Sequence, residues 1–205
     1  HRRLSIIDLS EQASQPMEAV EGRYQIVFNG EIYNFKALAA DLKDKGYVFN
    51  ENSDTAILAP LYDAYGESMV HKLDGIFAFA IWDKQEKSLF AARDHLGMKP
   101  FYYAETSKGF VFSSELKALL EIEQLEREID HEAVLSYVRY LWCAGEHTML
   151  KGVKKLLPGH FMTVSEDCLC LISKWYDVPL TQNHEEKTPE ELLSLFDEVV
   201  ADQTV

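Results

Sequence analysis

Gly75-Ile76-Phe77-Ala78-Phe79-Ala80-Ile81-Trp82-Asp83 is apolar without interruption from Ile76 to Trp82. Successive side chains of a strand point to opposite faces, so a run that is apolar on both faces belongs between two layers. The flanking sequence supports a sheet. A turn at Lys84-Gln85-Glu86 leads into Ser88-Leu89-Phe90-Ala91-Ala92-Arg93, and residues 101–104 and 110–112 read as a hairpin across Ser107-Lys108-Gly109. Upstream, residues 24–28 form a strand that ends at an Asn29-Gly30 turn. Asn34 is the expected cap of a helix with Phe35, Leu38, Ala39 and Leu42 at helical spacing and Gly46 as its stop. Ser53 or Asp54 caps a second helix through Ile57, Leu58, Leu61 and Tyr62, in which Pro60 predicts a kink.

Helices are expected over 115–120 and 130–141, and two late strands over 159–164 and 170–175. Residues 177–188 are polar and read as a linker. Thr188-Pro189-Glu190-Glu191 then combines a cap, a proline at the first helical position and an acid at the third, a strong helix start. Antiparallel sheet with helices outside it argues an α+β fold in stacked layers.

Composition narrows the function. The chain has 205 residues, 47% hydrophobic and 26% charged, with a formal net charge of -14. That charge argues against nucleic acid, whose binding needs clustered Lys and Arg; the longest basic run, Lys151-Gly152-Val153-Lys154-Lys155, reads as a solvated turn. Cys143, Cys168 and Cys170 have no zinc-type spacing. Cys168 and Cys170 are placed on a strand with both thiols on one face. A sparse, odd count suits a reducing cytoplasm. No apolar stretch approaches the roughly 20 residues of a membrane span. The chain opens on His1 in a strand-like run and closes within a helical pattern at 199–205, so it is read as a piece of something larger.

Three groups of residues could carry chemistry. In Asn29-Gly30-Glu31-Ile32-Tyr33-Asn34, a glycine N–H left free beside an Asn amide would make an oxyanion hole; the same Asn-Gly pair is also the strongest short hairpin signal. Arg3, Glu31 and Asp54 could clasp a free amino acid, the guanidinium on its carboxylate and the acids on its ammonium; three solvated charges are the plainer alternative. Arg93-Asp94-His95 could hold a catalytic base, but such a loop is more often braced by an Arg–Asp hydrogen bond.

In order along the chain, eight segments resemble the class II glutamine amidotransferases, and most closely the asparagine synthetases. They are His1-Arg2-Arg3-Leu4-Ser5-Ile6-Ile7-Asp8, Gln15-Pro16-Met17, Asn29-Gly30-Glu31-Ile32-Tyr33-Asn34, Ser53-Asp54-Thr55, residues 73–83, residues 93–103, residues 113–119 and Leu157-Pro158-Gly159-His160. The resemblance implies an N-terminal-nucleophile hydrolase fold, a four-layer sandwich of two antiparallel sheets between helices. It implies that Arg3, with backbone groups of Leu4, Ser5, Ile6 and Ile7, grips the α-carboxylate of glutamine, and that Glu31 and Asp54 hold its ammonium. Asn29 and the Gly30 N–H would receive the oxyanion. It implies a glutamine amidotransferase domain over 1–176, a linker over 177–188, and over 189–205 the first helix of an ATP-pyrophosphatase synthetase domain.

The resemblance also calls for a cysteine nucleophile upstream of His1, activated by its own α-amine. None of Cys143, Cys168 or Cys170 matches that position, so the chain as given is expected not to hydrolyse glutamine. No cofactor is expected in this domain. ATP and magnesium belong to the synthetase domain, where ammonia would meet a β-aspartyl-adenylate made from aspartate; a homodimer is among the assemblies the resemblance allows. Two other readings fit the same residues: amidation of a different acyl-adenylate, or a non-catalytic scaffold as in β-lactam-synthetase relatives.

Overall fold

The computed structural model describes residues 14–50, 52–180 and 187–203. In chain order these form β1 (Met17–Ala19), β2 (Tyr24–Ile32), α1 (Phe35–Asp44), a 3-10 turn (Thr55–Ile57) running into α2 (Leu58–Tyr65), and a second 3-10 segment (Gly66–Lys72). Then come β3 (Gly75–Asp83), β4 (Ser88–Arg93), β5 (Tyr102–Thr106), β6 (Gly109–Ser113), α3 (Leu116–Leu119) and α4 (His131–Tyr140). The last elements are β7 (Val153–Lys155), β8 (His160–Val164), β9 (Cys170–Lys174) and α5 (Pro189–Gln203). Arg3 and the segment Leu4, Ser5, Ile6 and Ile7 lie outside the described residues.

One antiparallel sheet has the order β1-β2-β3-β4-β8-β9 and a second the order β6-β5-β7. The central strand β3 divides its side chains by parity. Phe77, Phe79 and Ile81 pack with Leu42, Leu58 and Leu61 of the helical layer. Ala78, Ala80 and Trp82 face the other way, onto Phe101, Tyr103 and Phe112 of the second sheet. Small residues on one sheet make room for aromatic rings on the other; Phe101 and Phe112 stack there at 5.3 Å. The outer face of the second sheet, with Ala104 and Val153, packs on Leu119 and Leu125. The layers thus run helix, sheet, sheet, helix: the α+β sandwich expected.

Several local expectations are corrected. Asn29-Gly30 is not a turn: β2 continues through both to Ile32, fully paired with β3 from Tyr24↔Asp83 to Ile32↔Gly75. Asn34 precedes α1 but does not cap it; its amide donates to Lys72 O at 2.8 Å and accepts from Asp74 N at 3.1 Å, tying β2 to the segment before β3. Pro60 falls in the first turn of α2, where its missing N–H costs nothing, because the break has already been taken by the 3-10 turn before it. Cys168 lies in the turn between β8 and β9 with φ +60°, so it shares no strand face with Cys170. In the basic run, Lys151 and Lys154 pair with Glu128 and Glu146, but Val153–Lys155 is strand β7 and Lys155 is half-buried.

Candidate active site

The candidate site is the far end of β2. Tyr33 N–H donates to Asp74 O (2.8 Å) and Lys84 N–H to Arg23 O (3.0 Å), so odd-numbered residues of β2 turn their backbone groups to β3. In an antiparallel ladder these groups alternate, and the even-numbered residues address the opposite edge. Along that edge Phe28 N–H donates to Gln15 Oε1 at 2.7 Å and Ile32 N–H to Asp54 Oδ2 at 3.3 Å. Between them stands Gly30 N–H, with no acceptor among the described residues. Asn29 lies one residue earlier, its amide Nδ2 at the exposed surface and 3.4 Å from Ser114 Oγ. A free main-chain donor beside an exposed amide is the arrangement an oxyanion requires.

Gly30 is needed for packing as well. Its φ is +152°, and an added Cβ would overlap Ile76 O and stand 2.7 Å from Phe77 Cα. Across the ladder a Cβ on Gly75 would meet Glu31 O in the same way. The two strands approach too closely here for side chains.

Asp54 sits beside this edge, 5% exposed. Its Oδ1 accepts Thr55 N–H at 2.8 Å, capping the 3-10 turn, while Oδ2 takes Ile32 N–H. Burial raises its pKa, three hydrogen bonds pull against that, and the nearby Glu31 carboxylate adds to the rise. Two acids competing at one strand end provide a place for a cation. The structure therefore brings Asn29, Gly30, Glu31 and Asp54 to one strand end. The cavities beside Trp82 and Phe112, beside Trp142 and Lys155, and beside Phe49 and Pro60 are lined by none of these four residues.

The loop after β4 is braced differently from expectation. Arg93 and Asp94 do not bond each other. Arg93 donates to three carbonyls, Lys99 O, Leu156 O and Gly97 O, at 2.6–2.7 Å. Asp94 gathers four backbone N–H groups, from Phe77, Leu96, Met98 and Lys99. His95 packs edge-on against Trp175 (4.5 Å) and Tyr176 (4.6 Å), and burial pushes its pKa down. It is an aromatic spacer between the ends of β4 and β9, both strands of the first sheet. Gln15 and Ser114 stand in the segments Gln15-Pro16-Met17 and 113–119 that carry the resemblance, but no local pattern signals their contacts here, which are long-range.

The helix–sheet–sheet–helix sandwich is the fold of the N-terminal-nucleophile hydrolases. Residues 1–176 match the model of the glutamine amidotransferase domain family, and the chain belongs to that family. It is 43% identical over 166 residues to asparagine synthetase [glutamine-hydrolyzing] 1 of Bacillus subtilis, covering 81% of this chain and 26% of that protein. A putative asparagine synthetase [glutamine-hydrolyzing] of Mycobacterium tuberculosis is 34% identical, over 97% of this chain and 32% of its own length. Amidase chry2 of Gibberella zeae is 38% identical over 79% of this chain and 23% of its length. The chain thus spans about a quarter to a third of the curated relatives it matches. Among solved structures, glutamine phosphoribosylpyrophosphate amidotransferase of B. subtilis superposes with a TM-score of 0.59 at 18% identity, over 87% of this chain and 34% of that one, a likeness of fold. No helix among the described residues is long and apolar enough to cross a membrane.

Proposed function

We propose that the chain is the glutamine-handling module of a cytoplasmic, glutamine-dependent asparagine synthetase. Glutamine binds at the end of β2 with Arg3 and the backbone of Leu4, Ser5, Ile6 and Ile7 on its carboxylate, and Glu31 and Asp54 on its ammonium. The Gly30 N–H and the Asn29 amide stabilise the negative charge that develops on the γ-carbonyl oxygen when a thiolate attacks it. The attacking group is an N-terminal cysteine that this chain does not contain. Ammonia then passes to a synthetase domain following a linker over 177–188 and beginning at 189–205, where aspartate, ATP and magnesium are used. The observation that supports the reading is the Gly30 N–H, unpaired among the described residues and held between Gln15 and Asp54 with Glu31 alongside.

A protein carrying this chain within the full length of its relatives tests the proposal. Supplied with glutamine, ATP and aspartate, it is expected to form asparagine; glutamine turnover without asparagine would overturn the synthetase assignment. Asp54→Asn keeps an oxygen to cap Thr55 and removes the charge. It is expected to weaken glutamine use about ten- to hundredfold, the worth of one charged hydrogen bond, and to spare ammonia-dependent synthesis. Equal losses with both nitrogen donors would assign Asp54 to the fold instead. The similarity to an amidase supports a second reading, in which the same module serves a different acyl acceptor; product analysis with alternative acceptors separates the two.

A further inference from the structure

A cavity of about 480 Å³ opens between the β4 end, β7 and the segment after α4. Its wall combines Tyr137, Trp142, Met149 and Leu116 with two cations, Arg93 and Lys155. Ala78 pairs with Asn29 on one side and with Arg93 on the other, so Arg93 lies two strands, roughly 10 Å, from the candidate glutamine site. The wall of the cavity includes none of Asn29, Gly30, Glu31 or Asp54.

Among the described residues the two cations make no ion pair, in a chain with 34 acidic and 20 basic side chains, and the Asp94 charge beside Arg93 only partly offsets its burial. The nearby Asp94 is already occupied by its four backbone donors. Arg93 spends three of its five N–H groups on carbonyls, and Lys155 spends one of three on Cys143 O. Two donors remain on each head. The Lys155 ammonium lies 5.5 Å from the centre of the Trp142 ring. Burial lowers the pKa of both groups, and for Lys155 the Arg93 charge adds to it. Half-buried cations that repel one another are stabilised by an anion placed between them.

We propose that this recess is an anion-binding site that takes a carboxylate borne on a flat apolar body. The carboxylate meets Lys155 and the free edge of Arg93; the apolar part lies against Trp142, Tyr137 and Met149. The volume suits a small molecule. The same chemistry could come from a free metabolite or from an acidic residue beside an aromatic one in further sequence of the longer protein.

Titration of the 205-residue chain with phenylacetate, followed by tryptophan fluorescence and heteronuclear NMR, tests this. Saturable binding is expected, about tenfold or more tighter than for the neutral isostere phenylacetamide, with shifts at Trp142 and Lys155. Lys155→Met, which keeps the stem and the β7 backbone bonds, is expected to weaken phenylacetate about tenfold and leave the thermal midpoint within a few degrees. Binding of acid and amide alike, an unaltered affinity in Lys155→Met, or no saturation would overturn the proposal. Repeating the titration on the longer protein separates the sources. Retained binding identifies a free anion, and binding present in this chain but blocked there identifies a carboxylate of the longer protein.

Discussion

A methyl group at residue 30 has no space to occupy. It would press into the carbonyl of Ile76 and the Cα of Phe77, in a backbone conformation that L residues rarely adopt. Gly30→Ala is therefore expected to cost about 3 kcal/mol, from overpacking and backbone strain together, read as a lowered urea midpoint with unchanged slope. An unaltered midpoint would show that β2 and β3 can separate without cost. Asp83, at the other end of the same ladder, is 3% exposed in its side chain and takes Arg23 at 2.6 Å. Burial pushes its pKa up, but Arg23 and the N–H groups of Gln85 and Glu86 outweigh that and hold it below the usual carboxylate value. The unfolded chain then binds the proton more tightly. The stabilisation is present above the unfolded pKa, near 4, and is lost as pH falls through the lower folded value. Asp83→Asn is expected to cost about 1.5–3 kcal/mol at pH 7 and progressively less as pH falls through the folded value, where the native carboxylate also takes up its proton. A pH-independent difference in denaturation midpoint would contradict this.

At the level of elements, α5 tests whether local signals suffice. Thr188 Oγ1 accepts Glu191 N–H at 3.2 Å, and Glu191 Oε2 accepts Thr188 N–H at 2.8 Å, the reciprocal cap expected from Thr188-Pro189-Glu190-Glu191. Yet the described side chains of α5 are exposed, among them Leu192, Leu193 and Phe196. With no face packed against the described residues, its helicity rests largely on the cap and on propensity, and a helix of this length is marginal in water on those alone. Thr188→Ala is expected to remove about 1 kcal/mol and to reduce the helical Cα chemical shifts across 189–203 markedly. Shifts left unchanged would show that something other than the cap holds the helix.

For the molecule as a whole, the two sheets share one seam, and Met162 on β8 is fully buried in it. Met162→Ala is expected to cost about 2–5 kcal/mol, through lost contacts and the cavity left behind. Leu171, on the outer strand β9 and 59% exposed, is expected to tolerate Ala within about 0.5 kcal/mol. Similar costs at both positions, measured by thermal unfolding, would mean that the seam is not the stabilising core.

Much of this architecture was determined by the sequence alone. The uninterrupted apolar run at 76–82 required a strand between two layers, since each face of it must find its own partner. Side-chain parity, the hairpin read over 101–104 and 110–112, and the cap at Thr188 are local, and local patterns are legible. The ordered motifs carry the family resemblance in the sequence itself. Tertiary structure decided what depends on partners distant in the chain. It turned Asn29-Gly30 from a hairpin turn into mid-strand residues, because β3 supplies a ladder that the dipeptide cannot announce. It moved the Asn34 amide from a cap to a cross-link, and it set Arg93 on carbonyls brought from residues 97, 99 and 156. A hydrogen bond needs its two atoms within about 3 Å, and only the folded chain specifies which residues meet at that range.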